Sequence, residues 1–162
     1  MCSPNPALTA AQNKGKCVGI GSLILGIVGL LNFIGGTTGA IVGAIGSICM
    51  LIAGSMLVCC LKDKNQAVCI YTASMILSIF AVVLCAVGII MTSAMELSLV
   101  SSVGAVNVYI GIALVWLYVS VAINAVLVLF GIYSVVVYAK GRKLDDITMT
   151  TATAMAVAND KA

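Results

Sequence analysis

Charge is what this sequence has least of. Of its 162 residues only 8% are Asp, Glu, Lys or Arg, roughly a third of the share in an ordinary soluble domain. None falls between Cys17 and Leu61, between Asn65 and Met95, or between Leu97 and Ala139. Such runs exclude a water-soluble globular domain. Histidine is absent altogether, which removes the commonest general base and a frequent zinc ligand. Paired acids at useful spacing, a nucleophile elbow and a phosphate loop are also missing, so no enzyme and no cofactor is expected. Proline occurs only at Pro4 and Pro6, which break the polar first segment, and the adjacent glycines of GGTTG favour a reversal after the first apolar run. The first residues lack the basic-then-apolar order of a cleavable leader; the first apolar run is expected to direct insertion and remain in the chain.

What is present is apolar, at 62% of residues. About 20 apolar residues cross a bilayer as a helix, and four such runs are found. The fold class expected is all-α: an integral membrane, four-transmembrane-helix antiparallel bundle with short loops. The spans are placed at 17–35, 40–61, 66–92 and 109–139, between a tail over 1–16 and a tail over 140–162. The second tail is expected to carry at most a short helix after Asp146.

Basic residues set the expected orientation. Lys14 and Lys16 precede span one, Lys62 and Lys64 join spans two and three, and Lys140, Arg142 and Lys143 follow span four. All three groups fall on one side, and the other side has neither Lys nor Arg. The positive-inside rule makes that side cytoplasmic, with both termini. The net charge of +3 is thereby used for orientation, and nucleic acid is not expected as a partner. Lys140, Arg142 and Lys143 are expected to contact anionic inner-leaflet lipid. Tyr71, Tyr133 and Tyr138 fall near the inner boundary and Phe33 and Tyr109 near the outer one, where tyrosine favours the interface.

Helices in lipid associate through close packing and polar contacts. Span one carries small residues at Gly19, Ser22, Gly26 and Gly29; the second carries them at Gly36, Gly39, Gly43 and Gly46. Both series step by three, four and three, which makes one stripe along a helix. Span three has a similar stripe at Ser74, Ser78, Ala81, Cys85 and Gly88, and span four at Ala113, Ser120, Asn124, Gly131 and Ser134. Packing within the chain and a seam between copies both fit. Asn124 falls at the centre of span four, where an unpaired amide is costly. A serine of a neighbouring span or a second copy is its expected partner. Glu96 is expected in the outer connection, solvated.

Seven cysteines remain. Cys17, Cys59, Cys60 and Cys69 fall at the cytoplasmic lip, where the reducing compartment disfavours a structural disulfide. Without histidine, and with Cys59 and Cys60 adjacent, no metal site is expected. Cysteines beside basic residues at a membrane edge are what S-acylation uses, and these four are the candidates.

Four spans, cytoplasmic ends, the short basic loop Lys62–Asp63–Lys64 and the juxtamembrane Cys59–Cys60 pair together form a layout similar to that of the MARVEL-type tetraspan proteins of vesicles and junctions. No outer cysteine matches the Cys-Cys-Gly of tetraspanins or the outer-loop pattern of claudins. A rotary-ATPase proteolipid needs a mid-helix carboxylate where this chain has Asn124. The resemblance implies a non-enzymatic membrane scaffold that associates with lipid, with other membrane proteins or with its own copies. A small channel or transporter, using Asn124, Ser120 and Glu96, is the alternative.

Overall fold

The computed structural model describes residues 10–35, 38–61, 67–102 and 108–159. Four α-helices account for nearly all of them: α1 over Ala10–Leu30, α2 over Thr38–Ser55, α3 over Ala67–Ser102 and α4 over Val108–Asn159. α1 ends in a short 3-10 turn, Leu31–Gly35, and α2 ends in a π-helical turn, Met56–Cys60. Each helix contains a stretch long and apolar enough to cross a membrane, over Gln12–Phe33, Thr38–Cys60, Ala67–Ser98 and Gly111–Lys143. The all-helical architecture expected from hydropathy, with four helices long and apolar enough to span, is therefore present.

Successive helices pack antiparallel, and α4 closes the ring against α1. The small-residue stripes face inward. Gly19, Ser22, Gly26 and Gly29 on α1 and Gly39, Gly43 and Gly46 on α2 are all buried. So is the whole α3 stripe, which continues one turn further to Thr92. On α4, Ser120, Asn124, Gly131 and Ser134 are buried, but Ala113 is exposed. Large apolar side chains, among them Ile24, Ile52, Phe80 and Leu129, point outward from every helix. A bundle that is apolar outside and small or polar inside inverts the soluble pattern, as lipid-facing packing requires.

The glycines let backbones touch. A methyl group on Gly54 would lie 2.6 Å from the Gly19 carbonyl oxygen, and one on Gly88 would lie 2.9 Å from that of Gly39. Neither distance is tolerable, so these two seams, α1–α2 and α2–α3, depend on hydrogen at Cα. Such approaches bring weak Cα–H···O contacts within reach.

Several helix ends differ from the expected spans. α1 starts at Ala10, inside the expected N-terminal tail. α3 runs on to Ser102 and carries Glu96 on the helix rather than in a connection. α4 continues through the basic segment to Asn159, where a mainly non-helical tail was expected. The physical reason is common to all three. The spans were bounded by bilayer thickness, whereas a helix stops where a residue stops it, and Ala, Met, Leu, Glu, Lys and Arg do not. Gly36, Cys2 and the loop residues Lys62, Asp63 and Lys64 lie outside the described residues, and the side chain of Tyr109 does as well.

Candidate functional site

Polar and reactive groups gather at the two ends of the bundle. The first end is basic. It holds the start of α1, the π turn closing α2, the start of α3 and the middle of α4. Tyr71 organises it. Its ring is fully buried and lies 6.2 Å from that of Tyr138, tilted by 53°. Tyr71 donates its hydroxyl proton to the Gln12 carbonyl at 3.3 Å. Tyr138 and Ser22 share a hydrogen bond of 3.3 Å. Gly15 on α1 and Gly141 on α4 make the room: a methyl on Gly15 would lie 2.7 Å from Tyr71 Cε1, and one on Gly141 3.1 Å from the same atom. Val18, Leu57, Leu61, Ala67, Ile70 and Val137 fill the rest of this cluster. Tyr71 and Tyr138 thus correct the interface expectation: they sit at that end of the bundle but inside it, with hydroxyls bonded to protein. Tyr133 and Phe33 are exposed, as expected.

Around this core the surface carries thiols and positive charge. Cys59, Cys60 and Cys69 are exposed and free. Lys140, Arg142 and Lys143 are exposed beside Gly141, as is Lys14 beside Gly15. The structure therefore brings Cys59, Cys60 and Cys69 to the same end as Lys140, Arg142 and Lys143. Cys17 is the exception among the candidates. It is disulfide-bonded, against the expectation for a reducing compartment, and a disulfide sulfur offers no thiol to acylate. Cys49 and Cys85 are free within the bundle. Among the described residues no group of three or more His, Cys, Asp or Glu side chains is placed to hold a metal.

The second polar group lies toward the turn of the α1–α2 hairpin. Asn124 is fully buried. Its amide donates to the Ser120 carbonyl at 3.0 Å, and its Oδ1 accepts from Asn32 Nδ2 at 3.4 Å. Gly43 faces it from α2, where a methyl would lie 2.9 Å from Asn124 Nδ2. Three helices therefore meet on one amide. The expected partner, a serine of a neighbouring span, is replaced by Asn32 of the 3-10 turn, which is itself 2% exposed. Asn124 lies near the middle of the apolar stretch Gly111–Lys143 of α4, about one turn inside the tip of the α1–α2 hairpin.

The other buried hydroxyls are largely occupied within the bundle. Ser47 donates to Gly43 O at 3.0 Å, Thr92 to Gly88 O at 2.8 Å, and Ser74 reaches across to Ala53 O of α2 at 3.3 Å. Gly29 and Gly46 leave the space for Ser47 and Cys85. Sequence reasoning missed Gly15, Gly54, Gly141 and Thr92, and set Asn32 aside as nearer the outer surface. Each but Asn32 continues a stripe already visible: Gly15 precedes Gly19 by four, Gly54 lies eight beyond Gly46, Thr92 four beyond Gly88 and Gly141 seven beyond Ser134.

Two grooves of about 210 Å³ each open on the outer surface. One lies between α1 and α4, lined by Leu25, Val28, Ala122, Ile123, Val126 and Leu127. The other, between α3 and α4, is walled by Ile79, Val83, Ile132 and Val136 among others. Both are apolar. No protein-family model, curated protein or solved structure matches the chain at a significant level.

Proposed function

We propose that this chain is a non-enzymatic, multi-pass membrane scaffold that organises membrane proteins or lipids in a vesicle or plasma membrane. In this reading both termini and the 62–66 connection are cytoplasmic, and the layout likeness to MARVEL-type tetraspan proteins reflects a shared kind of work. The observation that carries it is the use made of Asn124. A fully buried amide near the middle of α4 is spent as a clamp among the 3-10 turn after α1, α2 and α4. A residue so engaged stiffens a platform. The outward surface, apolar on all four helices and furrowed by two grooves, suits acyl chains and the helices of neighbours. Lys140, Arg142 and Lys143 supply contacts to anionic lipid of about 1 kcal/mol each. Acyl chains on Cys59, Cys60 and Cys69 would tie the same end to its leaflet.

A channel or transporter is the second reading, favoured by Asn32 Oδ1 and Ser120 Oγ, which are buried next to Asn124 without a hydrogen-bond partner. Flux separates the two. Liposomes holding the folded, full-length chain should pass ions and small solutes no faster than protein-free liposomes. Reproducible flux that disappears in Asn124→Leu would overturn the scaffold reading.

A further inference from the structure

Basic segments of α1 and α4 meet on one ring. A methyl on Gly15 of α1 and one on Gly141 of α4 would lie 2.7 and 3.1 Å from the same atom, Tyr71 Cε1. Residues 14–16 and 140–142 are therefore at one level of the bundle. Helix periodicity sorts the lysines among them, because residues seven apart share a face. Lys14 shares its face with Gly21 and Val28. Gly21 packs on Phe130 of α4, with a would-be methyl 2.7 Å from its Cζ, and Val28 lines the α1–α4 groove. Lys140 shares its face with Tyr133 and Val126. The Tyr133 ring lies 6.2 Å from that of Phe130, and Val126 lines the same groove. Lys14 and Lys140 thus stand on the two walls of the α1–α4 seam, which leads past Phe130 into the groove. Other cations face other seams. Lys16 is seven residues before Leu23, which packs on Gly54 of α2, and Lys143 is seven beyond Val136, which lines the α3–α4 groove.

Both seam lysines are exposed. No acidic residue stands three or four positions from either, the spacing at which a helix pairs opposite charges. Among the described side chains the one acid is Glu96, one turn past Thr92, which meets Gly39 at the other end of α2. Two ammonium groups at the mouth of an apolar furrow suit an anion with an apolar tail. The dimensions agree. Lys14 is eleven residues from Leu25 and Lys140 thirteen from Leu127, both in the groove wall. Those separations are roughly 16–20 Å at 1.5 Å per residue. One leaflet supplies roughly half of the ~30 Å hydrocarbon core, with its phosphates just beyond. A lipid whose phosphate sits at the two lysines ends its tail in the groove.

We propose that the α1–α4 seam binds one anionic glycerophospholipid of the leaflet at the basic end, with its phosphate between Lys14 and Lys140 and an acyl tail in the groove. Basic pockets between membrane helices hold anionic headgroups in this way. Charge selects the headgroup, since a choline lipid brings its own ammonium up to two lysines. The site rests on the lipid-contact part of the scaffold reading and narrows it to one lipid on one seam.

Full-length protein in a neutral detergent is titrated with dioleoyl phosphatidylglycerol or dioleoyl phosphatidylcholine. Bound lipid is counted by native mass spectrometry, with Tm as a second readout. One phosphatidylglycerol should be retained in preference to phosphatidylcholine and should raise Tm. Lys14→Gln with Lys140→Gln should weaken it about tenfold or more. Lys16→Gln with Lys143→Gln removes the same charge from the other seams and should weaken it less than about threefold. Ala122→Phe, which fills the groove from an exposed wall position, should weaken it several-fold with every lysine in place. Glycerophosphate, an anion without a tail, should not displace the lipid at equal concentration. Equal losses in the two double variants, no loss in Ala122→Phe, or displacement by glycerophosphate overturns the site while leaving diffuse contact with anionic lipid standing. No preference for phosphatidylglycerol in the parent chain overturns both.

Discussion

Gly43 shows how much a single hydrogen atom matters in this bundle. Its Cα faces the Asn124 amide, which is already held by Asn32 and by the Ser120 carbonyl. A methyl there either displaces the amide and breaks the clamp or pushes α2 away from α4. Gly43→Ala should therefore lower stability by about 1–3 kcal/mol, the usual cost of overpacking. Gly111→Ala is the control, because nothing lies within 4 Å of a methyl at that position; it should be neutral or stabilising by up to about 1 kcal/mol. Thermal unfolding in one detergent compares the two, and equal effects would show that the Asn124 contact is not what makes Gly43 necessary. Gly43 was legible in the sequence because stripe spacing follows from the helix repeat alone. Asn32 was not, because which residues meet across a seam depends on the register of two helices. No single run of residues states that register.

Elements show the same division. The existence and order of four helices follow from the apolar runs, but their ends do not. α4 spans 52 residues, about 78 Å at 1.5 Å per residue, far more than the ~30 Å of hydrocarbon it needs to cross. Its passage beyond the apolar stretch is anchored at Gly141, which packs on Tyr71 with a would-be methyl at 3.1 Å from the ring. Tyr71 was read as an interface residue because tyrosine is amphipathic and this one falls near a span end. The glycines on α1 and α4 open a slot that draws the ring inside instead. Gly141→Val should push α4 off Tyr71 and loosen the segment holding Lys140, Arg142 and Lys143. Limited trypsin digestion should then cut there several-fold faster than in the parent chain, since cleavage follows local opening. An unchanged rate would mean that the Tyr71 contact does not hold this part of α4.

At the scale of the whole molecule the distribution of charge and sulfur is polar. Both flanks of the bundle that carry lysine and arginine, at Lys14 beside Gly15 and at Lys140 to Lys143 beside Gly141, meet at Tyr71. Cys59, Cys60 and Cys69 are exposed at that same end. In the proposed reading, four crossings put both termini on one side, and the positive-inside rule makes that side the cytoplasm. In sealed vesicles, a membrane-impermeant maleimide should thus reach these three thiols only from the side on which terminal tags are also accessible. Labelling of the thiols from the opposite side would overturn the orientation. The scaffold reading also proposes that these thiols are acylated. A Cys59 or Cys60 thiolate attacking the thioester carbonyl of a long-chain acyl-CoA forms a new thioester and releases the coenzyme thiol. Each buried methylene then adds about 0.8 kcal/mol of membrane affinity. For a chain already held by four spans, that energy serves to fix the end of α2 at one depth and to select the surrounding lipid. Acyl-exchange labelling of the protein from its native membrane should be present and should fall by more than half in the Cys59→Ser, Cys60→Ser double variant, with Cys69 accounting for what is left. Absence of labelling in the parent chain would remove acylation from the scaffold reading and leave the basic residues as its only tie to the leaflet.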